Sequence, residues 1–225
     1  MNSLLLKNYA QISRITVFTL LASCLLVVRI KITHDFHLLF LVWNLILAFI
    51  PYGISCYLKS KEYHNGWSKL GFTGLCIIWL LFLPNAPYII TDLIHIGNSS
   101  SNWHVYDAML IGSFAVLGTY LGMISIYDVN HSIYRMLSSN WKKRLRLLPY
   151  LFIFLSSFGI YLGRELRYNS WDLIKNPHVL WDDCWKLILA PQDHLEAWLF
   201  MISMSLLLSS CYYVYTSYNH QFNES

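Results

Sequence analysis

Charge is what this sequence is short of. Only 12% of its 225 residues are Asp, Glu, Lys or Arg, against roughly a quarter in an average soluble domain. A chain that is 56% hydrophobic and so weakly charged cannot clothe a water-facing surface, which excludes an ordinary soluble fold. The five cysteines form no pattern: Cys24, Cys56, Cys76 and Cys211 lie in apolar runs and Cys184 lies alone, which excludes a disulfide framework. Internal repeats and low-complexity segments are missing. So are a His-Glu-x-x-His pair, a Gly-rich phosphate loop, a nucleophile elbow and a Cys–His arrangement with family spacing. Catalytic residues and cofactors therefore stay unassigned, and no metal site is expected. The formal charge of +4 does not point to nucleic acid, because the basic residues gather beside helix ends.

What the chain has is length of apolar sequence. Six runs, at 12–28, 36–58, 71–90, 106–127, 147–163 and 197–216, each match a hydrocarbon core of about 30 Å at 1.5 Å per residue. They use nearly the whole chain and leave no room for a separate soluble domain. The expected fold is all-α: one domain over 1–225, a bundle of six transmembrane helices with a kinked or broken third helix. The string Leu21-Ala-Ser-Cys24 has the form of a lipoprotein cleavage box, but the apolar run continues through Val28, so the first run is read as a permanent span.

Ten of the sixteen Lys and Arg fall on one side of this topology. The sharpest contrast sets the basic cluster Lys142, Lys143, Arg144 and Arg146 against the 91–105 loop, which has neither residue type. By the positive-inside rule both termini face the cytoplasm, and the loops at 91–105 and 164–196 lie outside. Trp103, Trp171, Trp181, Trp185 and Trp198 gather near that outer interface, where indole is favoured. Within 178–190, Leu180, Trp181, Cys184, Trp185 and Ile188 oppose Asp182, Asp183 and Lys186. This is the pattern of an amphipathic helix, lying either on the membrane surface or against neighbouring loops. Ala115, Gly118 and Gly122 in the fourth run, with Gly159 and Gly163 in the fifth, have the spacing of close-packing faces. They predict that these two helices pack on each other.

Two polar motifs occupy the outer ends of the third and fifth runs. The first reads Leu-Pro-Asn-Ala-Pro-Tyr at 83–88 and continues to Asp92 and His95. Pro84 and Pro87 donate no backbone hydrogen bond, so they free the carbonyls of Leu80 and Leu83 at membrane depth. Asn85 can cap a restarted helix, which would carry Asn85, Tyr88, Asp92 and His95 along one α-helical face and aim its amide donors into the bilayer. A Pro kink that only shapes the bundle is the plainer alternative. The second motif runs from Gly163 through Arg164, Arg167 and Asn169 to Asp172. Arg164 and Arg167, three apart, suit a shared carboxylate or phosphate. Arg164 could equally lock to Asp92 or Asp107, and the two roles are compatible. Histidines other than His95 read as surface or interface residues.

At these motifs the chain resembles an uncharacterised family of bacterial multi-pass membrane proteins, a domain of unknown function. The likeness rests on residues 83–88, on Thr91-Asp-Leu-Ile-His95, on Tyr106-Asp107 and on Gly163-Arg164 with Arg167 and 169–172. It implies a bacterial plasma-membrane protein and marks Asn85, Asp92, His95, Asp107, Arg164, Arg167, Asn169 and Asp172. Glu165 stands where that family usually has an apolar residue, which sets it aside. No reaction comes with the resemblance.

Three function classes stay open. One is binding or transport of an anionic lipid or envelope precursor at an outward-facing polar site, favoured by the arginines and the interrupted third run. Another is a membrane enzyme using outer-face Asp and His residues. The third is a non-catalytic subunit with a membrane-protein partner. The nearly uncharged mid-membrane positions argue against an ion channel or proton pump.

Overall fold

The computed structural model describes residues 2–62, 68–98, 103–136, 145–168 and 177–224. Among them every regular element is helical. Helix α1 spans Asn2–Thr33, a 3₁₀ turn η1 spans His37–Leu39, and α2 spans Phe40–Glu62. Helix α3 spans Lys69–Phe82, α4 Asn85–Tyr88, and the 3₁₀ segment η2 Ile89–Asn98. Helices α5 (His104–Met136), α6 (Leu148–Arg164), α7 (Pro177–Leu189) and α8 (Leu195–Glu224) follow.

Among the described residues, five helical stretches are long and apolar enough to cross a membrane: Tyr9–Thr33, His37–Ser60, Leu70–Ile94, His104–Met136 and Leu195–Asn219. These fit a multi-pass membrane protein. The fifth expected run forms only the 17 residues of α6, about 25 Å long at 1.5 Å per residue and so short of a 30 Å core. Helix α5 is the most enclosed: 67% of its most apolar window is buried, against 22–33% in the other four. Those others keep large side chains such as Val17, Leu20, Ile46, Ile77 and Leu206 exposed, which is an aggregation hazard in water and the proper finish in lipid.

Local sequence explains where helices stop. Ser68 caps α3 by accepting a 3.1 Å hydrogen bond from the Gly71 amide. Helix α3 ends at Phe82, before Pro84, and helical geometry resumes at Asn85 as one α-turn and then tightens to 3₁₀. Neither Pro84 nor Pro87 can supply the amide that an uninterrupted α-helix needs there. Helix α1 ends where His34 adopts a left-handed conformation, φ 53°.

The Cα packing resolves two compact units, Met1–Phe49 with Asn85–Gly122, and Ile50–Pro84 with Met123–Ser225. In the first, α1 is tied to α5 by a buried Arg29–Asp107 ion pair and by the Tyr106 hydroxyl, which donates to the Leu25 carbonyl at 2.8 Å. In the second, the Trp79 indole donates to Ser125 Oγ at 2.5 Å, and that hydroxyl donates onward to the Pro51 carbonyl at 3.1 Å. Trp79, fully buried, also packs edge-on against Phe152. Nearer the ends of α2 and α5, Lys59 pairs with buried Asp128 at 2.8 Å.

Three glycines of the small-residue faces lie against the segment around Pro84. A Cβ on Gly118 would stand 2.4 Å from the Ala86 carbonyl oxygen and 2.9 Å from the Ile89 side chain, and one on Gly122 would stand 3.3 Å from Ala86 Cβ. A Cβ on Gly159 would meet the Pro84 ring at 2.5 Å. These glycines receive the residues around the α3–α4 interruption. An interrupted backbone projects carbonyls and proline rings that only a surface without Cβ atoms can accept at this distance.

Candidate functional site

Asn85 opens α4 and Tyr88 closes it, both half-buried. The Thr91 hydroxyl donates to the Tyr88 carbonyl at 2.7 Å. From Ile89 onward the geometry is 3₁₀, with three residues per turn, so residues three apart eclipse. Ile89 and Asp92 accordingly share the buried edge, at 0% and 2% exposure, and Tyr88 falls off it. The single α-helical stripe expected through Asn85, Tyr88, Asp92 and His95 is thus replaced by a 3₁₀ edge. His95 lies in η2, and its side chain is outside the described residues, as are Asn169 and Asp172.

Asp92 is held in the first unit by Asn44 of α2, whose amide donates to Oδ2 at 2.7 Å. Asp107, fully buried, receives Arg29 Nε on Oδ1 at 2.6 Å and Nη2 on Oδ2 at 3.0 Å. Nη1 of the same guanidinium donates to the Thr33 hydroxyl, and its Cζ lies over the Trp103 ring, 5.1 Å from the centroid. Such a two-pronged contact is the strong form of the Arg–carboxylate interaction. Asp107, one of two alternative lock partners for Arg164 in the sequence reading, has Arg29 as its bidentate partner within this unit.

In the second unit, α6 terminates on half-buried Arg164, and exposed Arg167 adopts φ 58°. A left-handed conformation costs a non-glycine residue roughly 1–2 kcal/mol. Bonds on the next residue hold the turn: the Tyr168 amide donates to the Leu162 carbonyl at 3.0 Å, and its hydroxyl donates to Asp183 Oδ2 of α7 at 2.9 Å. Lys186 meets the other Asp183 oxygen at 3.2 Å. The Tyr168 hydroxyl and then Lys186 hold the Asp183 carboxyl below its ordinary value of 3.8. The expected convergence of Asp92 with Arg164 joins residues of different units.

Arg29 and Asn44 escaped the reading of the sequence. Arg29 counted only toward membrane orientation, although an ionisable residue continuing an apolar run already asks for a buried partner. Asn44, the one amide inside the apolar 40–51 stretch, carried the same signal. No group of three or more His, Cys, Asp or Glu side chains among the described residues could hold a metal ion.

No curated protein and no solved structure matches this chain. A family model described as a protein of unknown function, DUF1361, matches residues 43–211. That span takes in every candidate site residue but begins after Arg29, and the chain belongs to this family.

Proposed function

We propose that this protein is an integral protein of the bacterial plasma membrane that binds or transports an anionic group, carried by a lipid or an envelope precursor, through the Arg164–Tyr168 turn. The observation that carries this reading is Arg167: an exposed guanidinium on a backbone kept at φ 58° one residue from a tyrosine bonded through both its amide and its hydroxyl. A rigid turn presents arginine with less of its freedom left to lose, and paired donors suit carboxylate or phosphate. Asp107 lends the enzyme reading little, because Arg29 already engages both its oxygens.

The reading includes one domain over 1–225, six spans with α6 the shortest, an interrupted third span, cytoplasmic termini and an outward-facing turn. Two experiments test it. Impermeant thiol reagents should reach Ser100→Cys in intact cells and fail to reach Lys142→Cys; the reverse labelling would remove the outer site. Native mass spectrometry of protein extracted with its lipids should show bound anionic lipid that is lost in Arg164→Gln/Arg167→Gln. Equal retention in parent and variant would refute the arginine site.

A further inference from the structure

Helix α7 is fastened on one side and bare on the other. Leu187 is buried with Ala197 and Met201 of α8, and Phe158, Tyr161 and Leu162 of α6 pack against this cluster. The Trp198 indole donates to the Leu187 carbonyl at 3.1 Å. Ala197 and Met201 lie in the first turns of α8, and Tyr161 and Leu162 in the last turn of α6. The second unit therefore holds α7 at the level where these two apolar helices end.

Successive residues of an α-helix turn by about 100°, so Trp181, Trp185, Ile188 and Leu189 occupy one sector, well away from Leu187. All four are 50–68% exposed. The two indoles stack, with centroids 6.1 Å apart and planes 11° from parallel. Asp182 and Lys186 flank the sector on one edge, and Asp183, bonded to Tyr168, lies on the far side.

We infer that this face lies in the head-group boundary of the bilayer, making α7 an interfacial helix that rests on lipid. Three observations select lipid as the occupant. Helix α8, on which α7 is fastened, likewise leaves apolar Leu199, Ile202 and Leu206 open. Indoles are favoured at that boundary, where the ring meets acyl chain and the N–H meets water. The area is also small: four half-exposed side chains offer on the order of 500 Å², below the roughly 800 Å² per partner of a stable protein interface. A charged edge beside an apolar sector of this width is the usual layout of a helix lying in the membrane plane.

The inference stands apart from anion binding, because it concerns where α7 rests and not what Arg167 holds. It is tested on the full chain in phosphatidylcholine–phosphatidylglycerol vesicles whose acyl chains are brominated close to the glycerol. The tryptophan fluorescence lost on making Trp181→Phe/Trp185→Phe is obtained as the difference between parent and variant. That component should lose most of its intensity in brominated vesicles and respond little to acrylamide in the water. Strong quenching by acrylamide with none by bromine would overturn the inference, because the face would then open to water. A component that neither agent quenches would overturn it too, because another protein surface would then cover the face. Should the double variant fail to fold, Trp181→Phe and Trp185→Phe made singly read the same quantity.

Discussion

Arg29 and Arg167 are both arginines near helix ends, and the two units use them in opposite ways. In the first unit Arg29 is 4% exposed, with three guanidinium nitrogens bonded and its face covered by Trp103. In the second unit Arg167 is exposed, and the effort of the fold goes into its backbone, through Tyr168 and Asp183. The contrast teaches that a charge in an apolar chain is not by itself a site. A buried pair fixes which helices meet and turns its donors inward; an exposed charge on a braced turn fixes where a donor points.

The largest effect should come from opening the sealed pair. Arg29→Ala or Asp107→Ala strands a charge in the first unit and should cost about 3–5 kcal/mol, read as lost folded yield and a lower unfolding midpoint in detergent. Arg29→Met/Asp107→Leu removes both charges and should recover most of that loss, since a hydrophobic pair of similar volume is often neutral or better. A double variant no better than either single one would mean that the pair does more than join α1 to α5.

Next come the glycines around the α3–α4 interruption. Gly118→Ala sets a Cβ against the Ala86 carbonyl, so the backbone must shift at a cost of about 1–3 kcal/mol. Gly112→Ala, on the same helix but with nothing within 4 Å of its added Cβ, should be neutral or stabilise by up to about 1 kcal/mol through helix propensity. Equal melting of the two variants would show that the close approach at Ala86 is relaxed in the membrane.

These two predictions also mark what could be read from the sequence. Run length and low charge made the helices legible, and Pro84 with Pro87 marked where α3 would stop, because helix interiors need the amides that proline lacks. The spacing of Gly118, Gly122 and Gly159 announced close approach but not the neighbour, since a flat face admits any projecting backbone. The 3₁₀ course of η2 left no residue signature, and it moved Tyr88 off the edge that Asp92 occupies. Arg29 and Asn44 were overlooked because pairing runs across 78 and 48 positions of sequence, where local periodicity carries no information.

The smallest effect concerns the brace behind Arg167. The Asp183 carboxyl is held below its ordinary value, so its contribution is full at pH values above about 4 and fades as pH falls through the lowered value. Because the Lys186 partner is exposed, Asp183→Asn should cost at most about 1 kcal/mol at neutral pH. The gap in melting temperature between parent and variant should close as the pH falls through that lowered value. A gap that stays constant with pH would mean that Tyr168 alone holds the turn.

The most direct test sets Arg29→Gln beside Arg167→Gln and measures two quantities on each: melting temperature, and phosphatidylglycerol retained per folded protein by native mass spectrometry. Arg29→Gln is expected to melt earlier while its folded fraction retains lipid as the parent does, and Arg167→Gln to melt like the parent and lose that lipid. Undiminished lipid on Arg167→Gln, or lipid lost from folded Arg29→Gln instead, would contradict the division between a sealed arginine and a presented one.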